Sequence, residues 1–289
     1  MGIIDPDLIA TRYRAELKEK VSGLNSTPRV IGLIANNDQP SLSYANATKK
    51  AFEEIGIEYR LIETPRLSLE KEIKNANNDP GIHGIFIYFP VFGNEEDKYL
   101  RNLVDHTKDI EAGSFFWTRK LSKNDRFLFD DKKALIPCTP LAIVKILAEI
   151  GAYGSGSMPL KEKNVVIFNR SEVIGRPLAV MMSNDGANVW SFDEFGPLLF
   201  REGIPRETSS DRAKALQKSD IVITGVPTSN FIKISPNELT RRPVCINFSA
   251  TENFTKDIDK HVKTFVPRVG PMTVTMCMRN TIRLYENFL

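Results

Sequence analysis

The sequence predicts an α/β protein built on largely parallel sheets. Three observations predict it. Short β-branched runs alternate with helical segments through most of the 289 residues. The connections between them are short, as layered α/β architecture requires. Residues 164–193 then read strand, turn, helix and strand, and finish on a carboxylate.

Taken in order, residues 7–22 are amphipathic, with Leu8, Ile9, Leu17 and Val21 set among charges, and predict a helix. Residues 29–35 form an apolar strand, 41–55 a helix closed by Gly56, 58–62 a second strand, and 67–76 a charged helix. Residues 84–89 make a third strand, which Pro90 ends. Thr139-Pro140 opens an apolar helix over 141–150, with Thr139 as the expected N-cap. The Gly- and Ser-rich stretch 151–159 marks a domain boundary. Residues 194–212 are polar and read as an irregular surface excursion. Strands resume at 219–227 and 244–248, each with a loop at its carboxyl end, where open α/β sheets bind ligands. Gly270-Pro271 precedes a last helix, 272–288, whose methionines read as gap-filling core.

The segment 164–193 carries the strongest functional signal. Asn164 to Asn169 is a buried parallel strand, the turn runs from Arg170 through Ser171 and Ile174 to Gly175, and Pro177 sits in the first helical turn. The next strand ends on Asp193, 18 residues after Gly175, near the offset at which a carboxylate accepts a ribose diol. The full G-x-G-x-x-G pattern is absent, so an ordinary βαβ unit is the alternative. A carboxylate at that place accepts the adenosine 2′-hydroxyl and repels a 2′-phosphate, which favours NAD over NADP.

Composition excludes several classes. With 39 basic and 36 acidic residues and no basic run, nucleic acid is not the expected partner. Cys138, Cys245 and Cys277, and His83, His106 and His261, are scattered, so neither a metal site nor a disulfide framework is indicated. No apolar stretch has the length of a membrane span and the N-terminus lacks a secretory core, which predicts a soluble protein of a reducing compartment, the cytoplasm.

Several stretches resemble the methylenetetrahydrofolate dehydrogenase/cyclohydrolases. They are Pro137-Cys138-Thr139-Pro140, the turn 169–177, 219–226 with Gly225 and Val226, and Val269-Gly270-Pro271-Met272-Thr273. Tyr44 and Lys49-Lys50-Ala51 resemble the family's folate-site helix, and Lys108-Asp109-Ile110-Glu111 its K-D-V-D segment. The resemblance spans nearly the whole chain in order. It implies two α/β lobes around a cleft, the second a Rossmann-type doubly wound parallel sheet. It also implies a folate-binding domain over 1–147, an NAD-binding domain over 148–270, a C-terminal helix over 271–289 returning to the first domain, and a homodimer. It places Asn169, Arg170, Ser171, Ile174, Gly175, Asp193, Gly225 and Val226 at the cofactor, and Tyr44, Tyr88, Glu111 and Pro271 at the folate.

The departures from the family pattern are chemical. The family's lysine four residues after the active-site tyrosine is Thr48 here, and its V-Q-L-P glutamine is Tyr88. Its pterin-contacting aspartate aligns with Glu111, and its P-G-G-V-G-P turn is shortened to 267–271. Positions i and i+4 share a helix face, so Thr48 falls in the tyrosine's pocket while Lys49 points about 100° away. These changes resemble the monofunctional NAD-dependent branch. Hydride transfer needs positioning and no protein nucleophile, whereas hydrolysis of the methenyl product needs proton transfers that an amine of tuned pKa suits. Threonine does not titrate near neutrality, so Thr48 leaves oxidation possible and cripples hydrolysis. The rivals are a bifunctional enzyme using Lys49 or Lys50, and a non-catalytic folate- or nucleotide-binding protein. Among single residues, Glu111 has a solvated loop acid as its alternative, Asp193 a turn cap, Arg170 an ion pair between lobes, and Cys138 a packing role.

Overall fold

A computed structural model describes residues 2–36 and 38–288. The chain forms two compact units: a first of residues 10–119, 126–138 and 274–289, and a second of residues 1–9, 120–125 and 139–273.

The first unit holds most of α1 (Pro6–Ser22), then β1 (Arg29–Ile34), α2 (Gln39–Glu54), β2 (Glu58–Glu63), α3 (Leu69–Asn78), β3 (Gly84–Ile87), α4 (Glu95–Leu103), α5 (Phe115–Ser122) and the hairpin β4 (Phe127–Phe129)–β5 (Lys132–Lys133). Its main sheet has the order β2-β1-β3 and is parallel throughout. Being central, β1 is buried at every residue after Arg29, which is why it reads as a continuous apolar run. Ile31, Leu33, Ile85 and Ile87 pack with Leu69 and Ile73 of α3 and Leu100 of α4.

Polar caps fix the helices. Asp38 accepts from Ser41 N at 2.9 Å to start α2, with Pro40 in its first turn. Gly56, at φ +90°, takes the left-handed position after α2. Lys108 Nζ donates to the carbonyls of Ala76, Asn77 and Asp79 at 2.9, 2.8 and 2.7 Å and so closes the C-terminus of α3 with a cation. Asp97 gathers the backbone N–H groups of Val91, Phe92 and Gly93 ahead of its own helix.

The second unit contains α6 (Cys138–Glu149), β6 (Asn164–Phe168), α7 (Gly175–Asn184), β7 (Asn188–Asp193), β8 (Gly196–Arg201), β9 (Ile204–Glu207), α8 (Arg212–Lys218), β10 (Ile221–Thr224), β11 (Val244–Asn247), α9 (Ile258–His261), β12 (Thr264–Val266) and the start of α10 (Gly270–Phe288). Its seven strands run β12-β11-β10-β6-β7-β8-β9. The first five are parallel, and β8 and β9 extend the sheet antiparallel. This is a Rossmann-type doubly wound sheet with an added hairpin.

Three local expectations change. Residues 194–212 are no irregular excursion: a two-residue turn, with Gly196 at φ +99°, folds β8 back onto β7, and β9 follows. All four residues of β9 are exposed, so ladder hydrogen bonds make it a strand and no hydrophobic period marks it. Thr139 does not cap α6, which begins one residue earlier at Cys138. Pro271 lies within the first turn of α10, where a proline is tolerated. Among the described residues no helix is long and apolar enough to cross a membrane, and no cluster of His, Cys, Asp and Glu could hold a metal ion.

Candidate active site

The doubly wound sheet has its switch point between β6 and β10: the chain leaves β6 for β7 on one side and returns to β10 on the other. Ligands bind outside the carboxyl ends of the strands at such a point. A cavity of about 610 Å³ opens there, lined by Phe168, Asn169, Arg170, Ser171, Phe192, Asp193, Val226 and Phe231 among others. Its size suits a small-molecule or cofactor site.

The turn after β6 is rigid. Asn169 Nδ2 donates to Gly225 O at 2.9 Å, and its Oδ1 accepts from Ser171 N at 2.9 Å. Ser171 Oγ accepts from Ile174 N at 3.3 Å at the head of α7. A Cβ on Gly175 would overlap the Asn169 carbonyl, lying 2.5 Å from its carbon, so only glycine lets α7 start this close to the strand. Gly225 is constrained likewise, since its Cβ would lie 2.5 Å from Phe248 Cδ2 and closer to the rest of that ring. Val226 N is held by Asn253 Oδ1 at 2.9 Å. Asn169, Arg170, Ser171, Asp193 and Val226 therefore line the cavity, while Ile174, Gly175 and Gly225 are absent from its wall and shape the turns around it.

Asp193 ends β7 at the cavity. One carboxylate oxygen accepts from Phe195 N at 2.9 Å and from Arg170 Nη2. Arg170 and Asp193 belong to the same unit, so the expected alternative of a pair between lobes is replaced by a pair inside one. The cavity, the acid at the end of the second strand and the close strand-to-helix turn together fit the adenosine and pyrophosphate of a dinucleotide.

In the first unit the structure gathers Tyr44, Thr48, Tyr88 and Glu111. Tyr44 and Thr48 lie one turn apart on α2, Tyr88 follows β3, and Glu111 follows the Lys108–Asp109 loop. Tyr44 is 44% exposed and meets the Tyr88 ring edge-on, 5.9 Å between centroids. The Tyr88 hydroxyl shares a 2.7 Å hydrogen bond with Tyr59 and reaches Ala45 O at 3.4 Å. Thr48 is 1% exposed, and its hydroxyl has no hydrogen-bond partner, although it lies near enough to both phenols to ease their ionisation slightly. Lys49 turns away, its Nζ 3.9 Å from Glu53, as the helical angle requires.

Burial disfavours charge on the ionisable groups of this cluster. Burial raises the Tyr44 phenol, with Cys277 and Glu111 adding to the effect. Burial pushes Tyr88 up to about 12, against the opposing hydrogen bond from Tyr59. Burial, then the charge of Asp109, pushes Glu111 up to about 8, partly offset by Arg101. Asp109 is itself buried and accepts from Ser114 N at 2.8 Å, so this loop is no solvated acidic stretch. Cys138 is buried, donates to Ile110 O at 3.2 Å and accepts from Asn280 Nδ2 at 3.3 Å, a packed thiol that burial makes less acidic. Pro271 is partly buried and belongs to the second unit.

Two participants carry no motif of their own, Tyr59 and Gly32. A Cβ on Gly32 would overlap the Tyr59 hydroxyl, so glycine in β1 makes the room that brings Tyr59 to Tyr88. The signal that could have found them is an isolated glycine inside an apolar strand, because it marks close approach.

The family model for the tetrahydrofolate dehydrogenase/cyclohydrolase catalytic domain matches residues 4–111, and that for the family's NAD(P)-binding domain matches residues 137–289. The chain is 40% identical over 298 residues to the methylenetetrahydrofolate dehydrogenase [NAD(+)] of Dictyostelium discoideum, covering 99% of this chain and 95% of that one. It is 39% identical to the protein of that name from Schizosaccharomyces pombe, covering 96% and 90%. The solved NAD-dependent 5,10-methylenetetrahydrofolate dehydrogenase from Saccharomyces cerevisiae superposes with a TM-score of 0.92 at 34% identity, covering 99% and 97%. The bifunctional enzyme FolD from Campylobacter jejuni, at 22% identity and a TM-score of 0.81, shares the fold.

Proposed function

Because the chain belongs to the tetrahydrofolate dehydrogenase/cyclohydrolase family, we propose that it oxidises 5,10-methylenetetrahydrofolate to 5,10-methenyltetrahydrofolate with NAD⁺ and does not hydrolyse the product. The relatives named for the NAD-dependent dehydrogenase support the oxidation and the cofactor. The observation that carries the second half is Thr48. One turn after Tyr44, on the pocket face of α2, stands a buried hydroxyl, while the adjacent lysine faces Glu53.

NAD⁺, when bound, supplies the acceptor for the hydride. The chain's residues bind and orient. Asp193 receives the adenosine ribose, and Asn169, Arg170, Ser171, Ile174, Gly175, Gly225 and Val226 form or shape the cofactor wall. Tyr44 flanks the pteridine with its half-exposed ring. Glu111, protonated at neutral pH, donates a hydrogen bond to a pterin acceptor, and a neutral acid avoids stabilising water near the donor carbon. Tyr88 closes the pocket floor, and Pro271 shapes the folate wall through its backbone. Hydrolysis of the methenyl cation requires water attack and proton transfer around N10, and neither the Thr48 hydroxyl nor the high-pKa phenols relay protons at pH 7.

On this reading residues 1–147 serve the folate, 148–270 the NAD, and 271–289 return as the closing helix. The protein acts as a cytoplasmic homodimer in one-carbon metabolism. The test follows NADH against NADPH formation from methylenetetrahydrofolate, and then methenyltetrahydrofolate loss against the buffer rate. NADH formation with hydrolysis at the buffer rate is expected. Enzyme-dependent hydrolysis abolished by Lys49→Met would instead establish a bifunctional enzyme.

A further inference from the structure

The gap that Gly32 leaves in β1 brings the Tyr59 hydroxyl of β2 to the tyrosine cluster. Tyr59 is 2% exposed, and among the described residues its hydroxyl has a single hydrogen-bond partner, the Tyr88 hydroxyl at 2.7 Å. Burial, then the adjacent Tyr88 phenol, raises the Tyr59 hydroxyl, and burial raises Tyr88, so both keep their protons near neutrality. Each phenol then has one proton to give and lone pairs with which to accept. If Tyr88 donated to Tyr59, the Tyr59 proton would be buried with no acceptor, an arrangement that folded proteins avoid. The Ala45 carbonyl, 3.4 Å from the Tyr88 hydroxyl, can only accept, and it too calls for the Tyr88 proton. One arrangement meets both requirements. Tyr59 donates to the Tyr88 oxygen, and Tyr88 points its own proton away from Tyr59.

That proton is loosely held. The 3.4 Å contact is longer than a normal O–H donor makes, and the carbonyl belongs to α2, whose own ladder already uses it. Ala45 follows Tyr44, whose 44% exposed ring meets the Tyr88 ring edge-on. A planar ring laid against Tyr44 therefore sits beside a proton that can turn to it.

We propose that Tyr59 is a positioning residue for the folate: by donating to the Tyr88 oxygen it fixes Tyr88 as a hydrogen-bond donor toward an acceptor atom of the pteridine. Tyr59 itself stays behind β1 and acts only through Tyr88. A hydroxyl that receives a hydrogen bond on its oxygen gives a stronger one through its proton, because the two bonds polarise each other. Without the Tyr59 hydroxyl, Tyr88 turns more freely and donates more weakly. This rests on the reading of the tyrosine cluster as the folate pocket and assigns that pocket a residue with no ligand contact of its own.

The experiment measures NADH formation from methylenetetrahydrofolate at saturating NAD⁺ for wild type, Tyr59→Phe, Tyr88→Phe and the double variant, with urea melts to confirm that each folds. The readout is the split between folate KM and kcat, and the coupling between the two substitutions. Loss of a donor of this kind is expected to raise the folate KM about five- to tenfold in Tyr88→Phe and roughly threefold or more in Tyr59→Phe. Neither substitution is expected to move kcat or the KM for NAD. In the Tyr88→Phe background, Tyr59→Phe is expected to add nothing. Tyr59→Met, which fills the space without a hydroxyl, serves if the phenylalanine variant does not fold, with the same expectation. A folate KM in Tyr59→Phe equal to that of wild type overturns the proposal. A rise of the same size with and without the Tyr88 hydroxyl makes Tyr59 a packing residue and overturns it too. An unchanged folate KM in Tyr88→Phe would instead overturn the folate reading of Tyr88, and the proposal with it.

Discussion

Gly32→Ala tests how the tyrosine cluster of the first unit is built, from a position inside β1. The new Cβ would lie 2.7 Å from Cε1 and Cζ of Tyr59 and overlap its hydroxyl. Carbon pairs rest at about 3.5–4.0 Å, so the ring must withdraw by roughly 1 Å. It has little room to do so. Tyr59 is 2% exposed, its ring centroid lies 5.0 Å from that of Phe52, and its hydroxyl is bonded to Tyr88 at 2.7 Å. Overpacking of this kind costs about 1–3 kcal/mol and a lost buried hydrogen bond about 1 kcal/mol. Restricting the unfolded chain returns roughly 0.4–1 kcal/mol. The net is a destabilisation of about 1–3.6 kcal/mol, or a fall in Tm of roughly 2–14 °C. Urea and thermal melts read this directly, and steady-state kinetics should show a higher KM for the folate with the KM for NAD unchanged. In a Tyr59→Phe background the hydroxyl overlap vanishes while the ring contacts remain, so the cost should fall by about 1 kcal/mol. A Gly32→Ala protein as stable as wild type, or an identical cost in both backgrounds, would refute the role given to the Tyr59–Tyr88 pair.

Other outcomes follow from the same geometry. Burial holds the folded pKa of Glu111 above its ordinary 4.5, at about 8. The folded state therefore binds more protons than the unfolded state between those values, and this residue's contribution to stability falls as pH rises through that window. Melts from pH 5 to 8.5 should show wild type losing more Tm than Glu111→Gln, and parallel curves would mean that folding does not raise the Glu111 carboxyl. Gly175→Ala forces a Cβ into the Asn169 carbonyl and should raise the KM for NAD at least tenfold, with little change for the folate. Equal KM values in mutant and wild type would detach this turn from the cofactor. Lys108→Met removes three hydrogen bonds from the end of α3 and should cost about 1–3 kcal/mol by urea denaturation. A loss under roughly 0.5 kcal/mol would mean that water replaces the cap.

The unit from β6 through α7 to β7 is legible in the amino-acid order because its signals are local. A β-branched run, a glycine, a proline in the first helical turn and an acid at a fixed offset all lie within 30 consecutive residues. Thr48 is legible for the same reason, since the helical repeat alone puts it under Tyr44 and sends Lys49 elsewhere. The β8–β9 hairpin is not legible: β9 is exposed throughout and the apolar Leu198, Leu199 and Phe200 of β8 show no alternation, so its strand character comes from pairing with β7. Nor is the Tyr59–Tyr88 bond, which joins a residue of β2 to one just after β3, 29 apart in the chain, through a gap that Gly32 leaves.

By itself the sequence determined the α/β alternation and the strand-turn-helix-strand unit that ends on Asp193, because periodicity and spacing act over a few residues of covalent chain. Tertiary structure alone decided that Arg170 is bound to Asp193, that Tyr59 bonds Tyr88, that Asp109 is buried, and that burial raises the Glu111 carboxyl above its ordinary range. Those facts depend on distances between atoms remote along the chain and on how much water remains around them, and neither is written in the order of the residues.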